Sequence, residues 1–350
     1  MGVTLDDVAR EAGVSLATAS RVLNGSTRKV GSELAERVRG TAATLGYLPN
    51  APAQALARSA TATVGILLHD VSDPYFAALA RGACDSVVAA GLMPLVVNTD
   101  GDPAAELRGV RMLHAQRVQA IILAGSGYTD PSAAARLNAA LADYRADGGS
   151  VAAVTDHGPE YHTVRPANRT GAAELTRSLL ALGHRDFAVI TGPSRLRVPG
   201  ERLAGVREAL SEAGVALPGS AVVRSEFTRE GGRRAMASLL RGDERGRVPT
   251  AVLALADVCA VGALAALRER RIRVPEDISV AGFDDIPLAE DLSPPLSTVR
   301  IPLTLMGAEA VRLALLPPAD RVGSFDAPVR VVLRATTGAP RTGAPGALRR

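Results

Sequence analysis

Residues 4–25 read TLDDVAREAGVSLATASRVLNG. Leu5, Val8, Ala9 and Ala12 recur at helical spacing, which predicts a helix of about two turns. Gly13 breaks it and permits a tight turn. Ser15 is placed to cap a second helix over Leu16–Asn24, closed by Asn24-Gly25. Two short helices joined by a glycine turn make a helix-turn-helix. Ala9 is small enough for a close helix crossing, and Val22 and Leu23 can face a core. Leu16, Ala17, Thr18 and Arg21 then face outward, toward a DNA major groove. The fork of an arginine matches guanine O6 and N7, while alanine and leucine can meet thymine methyls. Thr4, Ser15, Ser20 and Asn24 are candidate phosphate contacts, which set register rather than sequence. The plainer alternative is a three-helix bundle with Arg21 as a solvated surface charge.

Outward from this motif, Ser32–Leu45 reads as a third amphipathic helix, with Leu34, Val38, Ala42 and Leu45 on one face and Gly46-Tyr47 closing it. Residues 47–63, YLPNAPAQALARSATAT, form a connector in which Asn50 can cap a short helix with Pro52 in its first turn. From Val64 the pattern alternates. Apolar strands are predicted at Val64–Leu68, Pro94–Val97, Ala120–Leu123, Val151–Val154, Phe187–Thr191, Ala251–Leu255, Ile278–Gly282 and Val329–Leu333. Helix-length segments lie between most of them, such as 75–90, 103–116, 200–213 and 257–271. Continuous apolar strands between amphipathic helices mean parallel sheets covered on both faces. The expected fold is α/β: an all-α headpiece, then two doubly wound lobes with a ligand in the crevice at the strands' carboxyl ends. The boundaries expected are a headpiece over 1–47, a hinge over 48–62, a two-lobed core over 63–335 and a disordered Gly/Pro/Ala/Arg-rich tail over 336–350.

Composition removes several function classes. Two cysteines, Cys84 and Cys259, exclude a disulfide framework and a cysteine-based zinc site. Five scattered histidines argue against a metal centre, and His157 and His162, beside glycine and proline, read as a surface loop. A net charge of +4 excludes a histone-like polycation. Lys29 is the only lysine and lies outside any P-loop; no G-x-G-x-x-G follows the first strand, and G-x-S-x-G is absent. No cofactor and no catalysis are therefore expected. No apolar run approaches a membrane span, and the N-terminus lacks a signal peptide, so a cytoplasmic location is expected. At 47% hydrophobic but 3% aromatic, without tryptophan, the core must be built from Ala, Val, Leu and Ile.

The stretch over 4–25, continued by RVRGTAATLGYLPNAPAQALA at 37–57, resembles the DNA-binding headpiece and hinge of the lactose repressor/galactose repressor family of bacterial regulators. The resemblance continues through VGILLHDVSDPYFAALARG (64–82), NTDGDPAAELRGVRMLHAQRVQAIIL (98–123), LLALGHRDFAVITGP (179–193), ERLAGVREALSEAG (201–214) and FTREGGRRA (227–235). Its most specific core match is the segment 249–299, ending GFDDIPLAEDLSPPLSTV.

The resemblance implies a two-lobed, periplasmic-binding-protein-like core behind the headpiece. It places Leu16, Ala17 and Arg21 where the family reads bases, and Leu56 where a hinge leucine enters the minor groove as an apolar wedge. The set assigned to DNA is Thr4, Leu5, Ser15, Leu16, Ala17, Ser20, Arg21, Asn24, Tyr47, Asn50 and Leu56. Asp73, Tyr75 and Phe76 fall at the family's first pocket loop. Arg202 matches an arginine that binds polar ligand groups, Phe227 an aromatic wall and Asp284 a ligand-binding carboxylate. On residue type alone, Asp284-Asp285 could simply end a strand and Phe227 could be core.

Four positions depart from the family pattern. Ala256-Asp257 stands where Asn-Asp is usual, and Ala167-Asn168 where Asp-Asn is common, so either the ligand is atypical or the polar work moves, to Asp257 or Arg165. Gly31 replaces a capping Ser or Asn, a role expected to pass to Ser32, and Pro52 is unusual in the hinge. The tail carries no leucine heptads, so a homodimer on a near-palindromic double-stranded operator is expected. The function implied is an effector-controlled transcriptional regulator, a repressor, with a sugar or related metabolite between the lobes. The alternative is a solute-binding protein, which would require export.

Overall fold

The computed structural model describes residues 3–24, 30–47, 61–241, 248–317 and 322–341. The headpiece holds α1 (Leu5–Glu11), α2 (Leu16–Asn24) and α3 (Ser32–Leu45). Thr4 and Asp7 form a capping box: the Asp7 amide donates to Thr4 Oγ1 at 3.3 Å and the Thr4 amide to Asp7 Oδ2 at 3.0 Å. Two amides that the first turn of α1 would leave unpaired are thereby satisfied. Gly13, at φ +63°, makes the turn, and the Thr18 amide donates to the Ser15 hydroxyl to start α2. Val8, Ala9, Ala12, Ala19, Val38 and Ala42 are buried between the three helices. The expectation that Ser32 caps α3 is corrected. Gly31 occupies the cap position with no side-chain bond, and Ser32 is already the first helical residue. Its backbone turns too early for its hydroxyl to reach the free amides.

In the core, one lobe holds a six-stranded parallel sheet. Its strands are β1 (Thr63–Leu68), β2 (Met93–Asn98), β3 (Ala120–Ala124), β4 (Ser150–Val154), β5 (His162–Pro166) and β11 (Ser324–Ala327), in the order β2-β1-β3-β4-β5-β11. The other lobe holds β6 (Phe187–Thr191), β7 (Val222–Arg224), β8 (Ala251–Ala254) and β9 (Ser279–Ala281), parallel in the order β7-β6-β8-β9. An antiparallel ribbon of β10 (Thr298–Arg300) and β12 (Arg330–Val332) carries two of the three crossings between lobes. The strand order reverses at β1/β3 in the first lobe and at β6/β8 in the second. Ligand crevices in such sheets open beyond the carboxyl ends at these reversals.

The helices around the sheets are α4 (Pro74–Ala89), α5 (Pro103–Ala115), α6 (Pro131–Ala146), α7 (Asn168–Ala181), α8 (Arg197–Glu212), α9 (Arg229–Leu239), α10 (Asp257–Glu269), α11 (Leu288–Asp291) and α12 (Leu303–Ala314). They close on one another through glycines. A Cβ on Gly82 of α4 would overlap the Thr304 carbonyl of α12, and one on Gly307 would overlap the Leu79 carbonyl. Gly232 and Gly262 do the same between α9 and α10. Backbone-to-backbone packing at these crossings is how a chain poor in aromatics fills its interior. Gly82→Ala is expected to cost about 3 kcal/mol, since the obstacle is a carbonyl and not a movable side chain. A urea midpoint within error of wild type would contradict this packing.

Residues 336–341, expected to open a disordered tail, are ordered against the second lobe. Thr336 is fully buried; its hydroxyl accepts the Ser297 amide at 2.8 Å and its carbonyl the Val280 amide at 2.9 Å. The Gly338 carbonyl is 2.9 Å from His184 Nε2. Edge hydrogen bonds, to which composition is blind, hold this segment. The histidine reading also changes. His162 begins β5, where its Nδ1 accepts the Gly323 amide at 2.9 Å, and His157 is half-buried beyond β4.

Candidate DNA interface and effector cleft

In the headpiece, Ala19 is buried and Val22 and Leu23 pack against the small core, which turns the opposite face of α2 outward. Leu16 is 49% exposed, and Ala17 and Arg21 are exposed beside it. A leucine left half in solvent next to an arginine is a surface built to meet something. Ser20 is half-buried. The hydroxyls of Thr4 and Ser15 are helix caps, and Leu5 and Tyr47 pack half-buried against the core. The side chain of Asn24, and all of Asn50, Pro52 and Leu56, lie outside the described residues.

In the second lobe, the reversal at β6/β8 holds a buried arginine. Arg202, on α8, is 3% exposed. Its Nε donates to Asn168 Oδ1 at 2.9 Å, its Nη1 to the Leu255 carbonyl at 2.8 Å, and its Nη2 pairs with Asp284 Oδ1 at 2.8 Å. The guanidinium carbon lies 3.8 Å from the centroid of the Phe283 ring. The ring stacked on Arg202 is therefore Phe283; Phe227 lies over Gly192 at the end of β6, where any Cβ would overlap its ring. Asn168 also donates to Glu201 at 2.8 Å. Asp284 sits at φ 121° and Asp285 at φ 57°, backbone positions that cost energy for residues with a Cβ. The turn is held by Asp285, whose carboxylate pairs with Arg300 and, at 2.7 Å, with Arg334. Burial pushes Asp284 up to about 8, against the pull of Arg202.

Asp257, expected to supply a ligand contact, already uses its carboxylate within the chain. It is fully buried, its carboxylate receiving the Ile286 amide at 2.9 Å and the Thr298 hydroxyl at 2.6 Å. Burial raises it to about 6. It braces the loop that carries Asp284 and is a positioning residue. Arg165 lies on β5 with its guanidinium 3.7 Å from Asp326 of β11, an exposed pair.

In the first lobe, Asp73 caps α4, accepting the Tyr75 amide at 2.9 Å, and burial raises its carboxyl above the usual range. Tyr75 meets Phe76 edge to face, centroids 4.8 Å apart. Burial raises the Tyr75 hydroxyl, with Asp284, Arg202, Asp73 and Glu201 all close enough to act on it. Phe76 is 5.2 Å from the ring of His69, which follows β1. His69 in turn lies 6.3 Å from the ring of Tyr128, which follows β3. Glu106, in the first turn of α5, is 1% exposed. Burial lifts Glu106 to about 7 and drops His69 to about 4.

The two lobes meet across this site. Tyr128 and Leu196 form an antiparallel bridge, the Thr129 amide donates to the Arg195 carbonyl at 2.9 Å, and the Arg197 amide donates to the Gly127 carbonyl at 3.2 Å. Arg197 Nε adds a bond to the Tyr128 carbonyl at 3.0 Å. Among the described residues no cluster of three or more His, Cys, Asp or Glu could hold a metal ion, and no helix is long and apolar enough to cross a membrane.

Comparison with known proteins settles the family. The bacterial regulatory protein model of the lacI family matches residues 4–50, and a periplasmic binding protein-like domain matches 176–337. GalS of Salmonella typhimurium, an HTH-type transcriptional regulator, is 36% identical over 315 residues, covering 89% of this chain and 89% of GalS. The chain belongs to the LacI family. Among solved structures, the lac repressor dimer bound to operator and the anti-inducer ONPF is similar with a TM-score of 0.84 at 29% identity, over 97% of this chain and 100% of that one. A CelR–cellobiose complex is similar with a TM-score of 0.69 at 29% identity, over 95% and 99%. This LacI-family chain is a DNA-binding transcriptional regulator with an effector-binding core; the solute-binding alternative is not favoured. Its relatives are regulators rather than enzymes.

The sequence reading did not single out Phe283, Glu201, His69, Glu106 or Tyr128, which the structure places beside the candidate residues at the two reversals. For Glu106 a signal existed: it stands three residues into a helix that follows a strand, at a carboxyl end.

Proposed function

We propose that the protein is a repressor that acts as a homodimer, reads a near-palindromic operator through α2, and responds to a sugar without transforming it. The single observation that carries the reading is the outward face of α2, with Leu16, Ala17 and Arg21 exposed while Ala19 is locked inside. Arg21 reads guanine, Leu16 and Ala17 meet thymine methyls, and Ser20, Asn24, Asn50 and the capped amides beside Thr4 and Ser15 set register on phosphates. Leu5 and Tyr47 support the headpiece at its DNA-facing edge, and Leu56 is the minor-groove wedge. The lac repressor's complex with operator, and CelR's with cellobiose, support both halves of the proposal.

A ligand between the lobes would contact Arg202, Asp284 and Phe227 on one side and Asp73, Tyr75 and Phe76 on the other. Its preference for one lobe arrangement is a free energy available to shift DNA affinity. Fluorescence anisotropy of the full chain on DNA from upstream of its own gene tests the DNA half. Arg21→Ala is expected to weaken operator binding about 5- to 150-fold and to relax preference at one base pair of each half-site. A change within twofold would make Arg21 a solvated charge.

A further inference from the structure

The loop after β9 carries two adjacent aspartates that hold different parts of the molecule. Asp284 pairs with Arg202 inside the second lobe. Asp285 receives one arginine from each strand of the ribbon that crosses between the lobes. Its Oδ2 pairs with Arg300, the last residue of β10, and its Oδ1 lies 2.7 Å from Nη1 of Arg334, two residues past β12. Glu290, on α11, receives the same two arginines on Oε1, at 3.1 Å from Arg300 and 2.7 Å from Arg334. Two carboxylates and two guanidiniums thus alternate in a closed ring. Arg334 also donates to the Leu296 carbonyl at 2.8 Å.

This ring stands where the ribbon leaves the second lobe. β10 runs on through Ile301 and Pro302 into α12, which packs on the first lobe, and β12 returns from β11 of the first-lobe sheet. Any rotation of one lobe against the other has to twist or splay these two strands. The loop that carries Asp284 is tied to the same ribbon: the Gly282 amide donates to the Ser297 carbonyl at 2.8 Å and the Asp284 amide to the Val299 carbonyl at 2.9 Å. The pairing of β10 with β12 sets Arg300 opposite Arg330, and like charges directly opposite repel, so the ribbon needs the carboxylates. The Asp285 side chain is 5% exposed and that of Arg334 12%, against 64% for Glu290. Asp285 is therefore the member of the ring whose pairing solvent screens least. It keeps this place at φ 57°, a conformation that costs energy unless its surroundings enforce it.

We propose that Asp285 is a positioning residue that sets the arrangement of the lobes. Through Arg300 and Arg334 it locks the crossing ribbon to the loop of Asp284 and so maintains the bridge between the lobes at Tyr128 and Leu196. Asp285 passes a change at Asp284 on to the first lobe without itself meeting effector or DNA. The role matters to regulation because lobe arrangement is what an effector biases. The test needs neither effector nor operator, so it can fail while that reading stands.

The test is hydrogen–deuterium exchange read by mass spectrometry on the full-length protein at neutral pH. Asp285→Asn removes the charge and keeps a residue type that tolerates the left-handed region. The reporters are the amides of Thr129 and Arg197, which bridge the lobes at 2.9 and 3.2 Å. In Asp285→Asn they are expected to exchange about fivefold or more faster than in wild type, while amides of β1 and β6 stay within about twofold. Arg300→Gln, which leaves Arg334 on Asp285, should speed the same two amides by a smaller factor. Arg312→Gln breaks a pair confined to α12, with Glu309 at 2.8 Å, and should leave them unchanged. A merely structural ion pair would stabilise the second lobe as a whole, and its loss would quicken exchange in β6 as much as at the bridge. That uniform rise would overturn the proposal. Bridging amides that exchange as in wild type in both Asp285→Asn and Arg300→Gln would overturn it too. Should Asp285→Asn fail to fold, Arg300→Gln decides by the same comparison of bridge with β6.

Discussion

Arg202→Met is expected to destabilise the core by about 3–5 kcal/mol at pH 7 and to abolish the effector response. The substitution removes a buried donor and leaves its acceptors in place. Asp284 is 4% exposed, and with the guanidinium gone nothing opposes the burial that already raises it. Asn168 Oδ1 and the Leu255 carbonyl also lose their donor, and Phe283 loses the cation stacked on its face. Urea unfolding monitored by circular dichroism reads the loss. The double variant Arg202→Met/Asp284→Asn should recover at least about 1 kcal/mol, because the two residues are in contact and their effects are not additive. It should not recover ligand binding, since both groups would contact the effector. If Arg202→Met unfolded within about 0.5 kcal/mol of wild type, the pair would be a surface-like contact and the account of the second lobe would fail.

The Glu106 carboxyl has an opposite effect, confined to a pH window. Its folded value of about 7 lies above the ordinary value of 4.5. Below about pH 4.5 both folded and unfolded states hold the proton, and burial of the neutral acid carries no ionisation penalty. Between 4.5 and 7 the unfolded chain releases the proton first, so folding stability falls as pH rises. Above 7 the penalty is complete and amounts to roughly 3 kcal/mol. Glu106→Gln is therefore expected to gain up to that amount over wild type at pH 8, and little at pH 4.5. His69 slopes the other way. Its folded value of about 4 lies below the ordinary 6.5, so its contribution is lost as pH falls from 6.5 through 4. In wild type the two slopes offset each other between about pH 4.5 and 6.5, where one group gains the proton the other releases on unfolding. Removing Glu106 should expose the His69 slope: through this window the variant's stability should rise with pH relative to that of wild type, since the raised carboxyls of Asp257 and Asp284 act equally on both. Chemical denaturation at pH 5, 6, 7 and 8 decides it, and parallel curves for the two proteins would contradict the burial of Glu106.

Legibility in the sequence followed the physics of each element. The eight strands expected from apolar runs are all present, within one or two residues of their expected ends. The four not expected, β5, β7, β10 and β11, are short or carry polar residues at the lobes' rims and crossings. Their pairing depends on a neighbouring strand and not on their own periodicity. Arg202 and Asp284 stood out because residue type and family pattern coincided there; that they pair with each other is read only from the structure. Asp257 was ambiguous from residue type alone: a carboxylate at a strand's end can face a ligand or brace a loop. Only the Ile286 amide and the Thr298 hydroxyl show which.

On its own, the sequence determines the helix-turn-helix and the alternation of strands and helices. Local rules are sufficient there: a glycine at positive φ, two serine or threonine caps and a 3.6-residue apolar period act within a few residues of one another. The tertiary structure alone decides which buried polar groups come together. Glu106, His69 and Tyr128 come from three separate segments and meet only because the strand order reverses between β1 and β3. Whether a buried carboxylate is braced or paired is a property of that meeting.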